Sequence, residues 1–142
     1  MNANAGTSKT QNGLRSFGIG MLGLLALQYV LGMVTNLYVQ FPQTDQISQL
    51  WDAARSQFAS AAHILLGVLL LVGAILFVIR AAMNREGRWI VSSAVGLAGI
   101  VVAAFGGVTF VNSQGVIFSL IMSLGFLGAL VAYGWGLFMT RR

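Results

Sequence analysis

The chain reads as an all-α integral membrane protein, a four-helix bundle with both termini in the cytoplasm. Three observations carry that reading. First, 57% of its 142 residues are hydrophobic and 8% are charged, and the mean hydropathy is +0.82; a soluble domain of this size needs far more polar surface. Second, residues 17–39, 56–79, 89–111 and 116–139 contain no Asp, Glu, Lys or Arg, and each run is long enough to cross a hydrocarbon core of ~30 Å as a helix. Third, Lys9, Arg15, Arg80, Arg85, Arg88, Arg141 and Arg142 fall on one side of the resulting topology and Arg55 alone on the other, so the positive-inside rule places both ends in the cytoplasm of a cell (inner) membrane.

The elements follow in order. Residues 1–15 are polar and low in complexity and read as a mobile cytoplasmic tail with nothing to bury; residues 16–142 form a single transmembrane domain. The first span is longer than a signal-peptide core and lacks a small-x-small cleavage site, so it reads as a retained helix. The outer connection, 40–55, holds the lone proline, Pro42. In and just beyond it Ile47, Leu50, Trp51, Ala54 and Phe58 recur at helical spacing among Asp45, Gln49, Asp52 and Arg55. Two readings of this segment stand side by side: a short interfacial amphipathic helix, or a loop anchored by Trp51.

Helix-face arithmetic gives the interior. Met21, Leu25, Gln28, Gly32 and Thr35 share one stripe of the first span, and Ser92, Gly96, Gly99, Ala103, Gly106 and Thr109 share one of the third. The fourth carries Gly128, Ala132 and Gly136 at four-residue intervals, and Gly125 with Ala129. Small residues at such spacing let helices approach closely in lipid, where no hydrophobic effect drives them together. The spans also read as two pseudo-repeated hairpins. "GMVT" at 32–35 matches "GGVT" at 106–109, and "SAAHILLG" at 60–67 matches "SLIMSLGF" at 119–126, which lays His63 on Met122.

The functional question centres on His63, the only histidine. Seven residues into the second span, it sits about 10 Å below the outer interface, where an ionisable group faces the bundle interior. One reading is a neutral imidazole hydrogen-bonded across helices to Thr35, Asn36 or Thr109. The other is a haem b axial ligand paired with Met122 or Met33, with Gly32 and Gly106 leaving room for the macrocycle. Gln28 is the other polar residue in the interior, expected in an interhelical hydrogen bond or against a quinone or haem edge.

The stretches "LQYVLGMVTNLYVQFP" and "AHILLGVLLLVGAILFVIR" resemble a widespread family of bacterial four-span membrane proteins of uncharacterised role. More distantly, the order Gln-x-x-Leu-Gly-x-x-Thr, outer loop, then histidine resembles one four-helix half of haem A synthase. That second resemblance implies a haem-facing His63. The chain departs from it at Met122 and in having no cysteine in the outer loop.

Several function classes are excluded. Asp45, Asp52 and Glu86 are the only carboxylate side chains and all lie in connections, which removes acid–base hydrolase chemistry and proton-coupled transport. The absence of cysteine removes thiolate sites and disulfides, and the scattered basic residues form no nucleic-acid surface. The expected role is therefore accessory or structural, with no catalytic constellation: a bilayer-embedded chain packing within itself, as a homo-oligomer, or within a larger membrane complex. The alternative is a b-type haem-binding or quinone-associated electron-transfer protein with His63 as axial ligand to the iron.

Overall fold

A computed structural model describes residues 3–42 and 44–139. Among these residues there are five helices, α1 Ala3–Tyr38, α2 Ile47–Ser56, α3 Phe58–Met83, α4 Gly87–Ser113 and α5 Val116–Met139, and no strand. Four of them are long and apolar enough to span a membrane. The expected fold class, an all-α four-helix bundle, is the one observed, and the chain is a multi-pass membrane protein by the length and composition of its helices. In each span only 17% to 22% of the most apolar window is buried inside the protein, so an apolar environment, lipid or other helices, must cover the rest.

Each long helix packs on the next along the chain, and α5 closes the ring against α1. This is an up-down-up-down bundle in which short turns join α3 to α4 and α4 to α5, while the connection from α1 to α3 carries α2. The fourth span has the bounds read from sequence; the second begins at Phe58 rather than 56 and runs on to Met83. Arg141 and Arg142, part of the charge argument, lie outside the described residues.

The N-terminal segment departs from expectation. Rather than a separate tail, residues from Ala3 onward are the first turns of α1, and Leu14, inside the segment expected to bury nothing, is 2% exposed. Nucleation is the costly step in making a helix, so a segment without proline extends an existing one at little cost.

In the outer connection the helix is formed. Leu50 and Ala54, four residues apart, are buried under it, and a single extended residue, Gln57, separates it from α3. The Trp51 indole Nε1 donates to Asn112 Oδ1 at 2.8 Å, tying α2 to the C-terminal end of α4. Trp51→Phe keeps the ring and removes the donor; it is expected to cost about 1 kcal/mol, read as a lower midpoint in detergent unfolding. At the other end, α3 stops in a Schellman turn: Glu86 N donates to Ala81 O and Arg85 N to Ala82 O, with Arg85 in the left-handed region at φ 53°.

Two hairpins hold the core together by different means. Between α4 and α5 the backbones themselves touch. A Cβ placed on Gly99 would lie 2.6 Å from Gly125 O, and one on Gly106 would lie 2.6 Å from Met122 N. Ser92 Oγ donates to the Ala132 carbonyl at 2.7 Å across the same seam. Between α1 and α3 side chains intervene. Near the α3–α4 connection Phe77 stacks on Tyr133, centroids 5.7 Å apart, and also meets Phe17 and Trp89; these rings fill the space between the two hairpins.

Candidate functional site

The polar centre of the bundle lies between α1 and α3. Gln28 and Gly32 are one turn apart on α1; His63 and Gly67 are one turn apart on α3. Because the helices run antiparallel, each polar side chain lies against the glycine that follows the other. A Cβ on Gly32 would sit 3.0 Å from His63 Cε1, and one on Gly67 would sit 3.4 Å from Gln28 Nε2. The two glycines thus make room for an imidazole and a carboxamide.

Hydrogen bonding closes the pair. Gln28 Nε2 donates to the His63 carbonyl oxygen at 3.1 Å and lies 3.3 Å from His63 Nε2. A carbonyl only accepts, so the amide nitrogen must be the group presented here. Its second hydrogen then makes the ring Nε2 an acceptor and leaves the ring proton on Nδ1. The Nε2 lone pair, which an iron would need, is spent on Gln28. His63 Nδ1, Gln28 Oε1 and Thr35 Oγ1 are buried without a hydrogen-bond partner, so one ring donor and one amide acceptor remain unused beside the latch.

The partner of His63 is therefore Gln28, not Thr35, Asn36 or Thr109. Thr109 Oγ1 turns back to the Phe105 carbonyl of its own helix at 2.9 Å, as threonines on helices commonly do. The stripe arithmetic placed Gln28 inside, the cost of an ionisable group at that depth placed His63 there, and both are half-buried. What it missed is Gly67, although a signal was present: "QYVLG" at 28–32 and "HILLG" at 63–67 share one spacing of polar residue to glycine.

The six candidate cofactor residues divide between the hairpins. His63, Gln28 and Gly32 meet at the α1–α3 latch. Gly106 and Met122 meet at the α4–α5 seam, where the backbone of α5 fills the space that Gly106 leaves open. The Met122 sulfur lies toward Gly107, 3.4 Å from where a Cβ there would be. Met33 is 46% exposed and faces outward. The expected slot for a flat macrocycle between glycines is thus taken, at Gly32 by the imidazole itself and at Gly106 by the neighbouring helix. The residues do not fit a haem in this arrangement.

No group of three or more metal-ligating side chains occurs among the described residues. Asp52 and Arg55 form an exposed pair at 3.7 Å, a geometry worth little in water. Compared with known proteins, the chain matches no family model, no curated protein and no solved structure.

Proposed function

We propose that this protein is a non-catalytic accessory subunit of the bacterial cytoplasmic membrane, with both termini in the cytoplasm, packing with itself or within a larger membrane complex. The observation that carries the reading is the closed Gln28–His63 latch, with Nε2 accepting from the amide and the ring filling the space over Gly32. The one histidine of the chain is used to join two helices. The other buried glycines are used in the same way, against helix backbone or a packed ring. The surface left over is apolar, with Leu65, Phe105 and Phe138 each more than half exposed, as in a chain whose partners are lipid and other membrane helices.

A duplication of one ancestral hairpin accords with this reading. The residues matched by the internal alignment, Gly32 with Gly106 and His63 with Met122, make equivalent pairs: Gly32 meets His63, and Gly106 meets Met122. On this view the polar latch of one hairpin and the bare backbone seam of the other are two solutions to the same close approach.

Purification of the full chain in mild detergent tests the proposal. The expected result is a protein without a Soret band that elutes as a defined oligomer or with a stoichiometric partner. A Soret band removed by His63→Ala would replace the accessory reading with haem binding. Topology is checked separately, since the chain has no cysteine. An impermeant thiol reagent added outside whole cells should modify Asp52→Cys and leave Gly13→Cys unmodified; the reverse pattern would invert the orientation.

A further inference from the structure

An open groove of about 510 Å³ runs along the lipid-facing side of the α4–α5 seam. Val91 and Val95 line it from α4, and Leu124, Gly128, Val131 and Trp135 from α5. The glycine opens it: no atom lies within 4 Å of where a Cβ on Gly128 would be. Ser92 also borders the groove, but its hydroxyl proton is committed to the Ala132 carbonyl, so the wall offers no free hydroxyl donor. Such a trough suits a hydrocarbon chain and no polar ligand.

The end of the trough is different in character. Arg88 lies one turn before Val91 and Ser92 on the same side of α4, and its exposed guanidinium donates through Nη1 to the Met139 carbonyl at the end of α5, 3.0 Å away. It therefore stands across the mouth where both helices terminate, with Trp135, 41% exposed, one helical turn before Met139. The adjoining turn adds Arg85 and the half-buried Glu86, and Arg80 lies just before it on α3. Three cations against one carboxylate leave this end positive.

From this juxtaposition we infer that the α4–α5 groove is a binding site for an anionic phospholipid, one acyl chain lying over Gly128 and the phosphate paired with Arg88. A guanidinium has donors to spare after serving one carbonyl, and its planar fork suits a phosphate. The tryptophan at the same level is where amphipathic rings settle in membranes.

Trp135 supplies the reporter. The full chain is reconstituted in phosphatidylcholine vesicles containing increasing fractions of either phosphatidylglycerol or phosphatidylcholine brominated on the acyl chains. Quenching of Trp135 is taken as the difference between the parent and Trp135→Phe. The expected result is half-maximal quenching at a mole fraction about fivefold lower for the anionic lipid, the preference one basic residue at a membrane surface confers. Arg88→Gln should bring the two lipids together, and so should high salt. Gly128→Leu, which adds its side chain to open space, should weaken quenching by both. Equal quenching by the two lipids in the parent, a preference that survives Arg88→Gln, or disulfide crosslinking between copies through Gly128→Cys would each overturn the assignment, the last by seating another helix in the groove.

Discussion

Gly125→Leu is expected to destabilise the bundle by about 3 kcal/mol, at the upper end of what overpacking costs. A Cβ at this position would stand 2.5 Å from the Ala103 amide nitrogen and 2.6 Å from the Gly99 carbonyl oxygen. Both are backbone atoms of α4 and cannot rotate aside, so the two helices must separate. Separation also loosens the neighbouring contacts of the seam, at Gly99 against Ala129 and at Gly106 against Met122. The measurement is the shift of the unfolding midpoint when mixed micelles are titrated with a denaturing detergent. Gly128→Leu, three residues along the same helix, is the control: with nothing near its Cβ, it should shift the midpoint by less than about 0.5 kcal/mol. Equal effects at the two positions would mean that α5 presents a different face to α4. The double variant Gly99→Leu/Gly125→Leu should cost clearly less than the sum of the single changes, because the first substitution has already parted the helices for the second.

That contrast marks how far the sequence could be read. The spans were legible because a bilayer accepts only long runs without charge, and the interior stripe of α1 was legible because a helix repeats its faces by arithmetic. Met21 and Leu25 are 2% and 1% exposed, as that stripe requires. On α5 the same arithmetic offered two stripes of small residues and could not choose between them. The structure buries Gly125, Ala129, Ala132 and Gly136 and leaves Gly128 open, a choice made by the crossing of α4 and not by anything local to α5. The partner of His63 was out of reach for the same reason: depth is shared by residues on every helix, whereas a hydrogen bond needs a particular neighbour in a particular register. Haem ligation was a reasonable expectation from a histidine near glycines. It does not match the arrangement because glycines also make room for side chains of the protein itself, and here the space over Gly32 is taken by the imidazole. The helical start of α1 was missed because polar composition says what a segment cannot bury and says less about whether a long helix will run on through it.

The latch should behave as a coupled unit, which separates it from a cofactor site. Gln28→Leu removes the donor to both the ring Nε2 and the backbone carbonyl of His63; the carbonyl, inside α3, keeps its helical bond, and the ring Nε2 is left without a partner in an apolar interior. The expected loss is about 1 to 1.7 kcal/mol, the upper range for interhelical hydrogen bonds inside membranes. His63→Leu should cost a similar amount, since the amide then keeps only its carbonyl bond. Replacing both groups removes the unsatisfied atoms along with the bond, so Gln28→Leu/His63→Leu should recover most of the loss and lie within about 0.5 kcal/mol of the parent. The glycines report on the same geometry. Gly32→Ala would push a methyl to 3.0 Å from His63 Cε1, so it should destabilise the parent yet be tolerated in His63→Ala, where the ring is gone. All of these variants should stay colourless. If instead Gln28→Leu, by releasing the Nε2 lone pair, yielded protein with a Soret band, His63 would be an iron ligand held in reserve by the amide, and the packing role argued for it would be secondary.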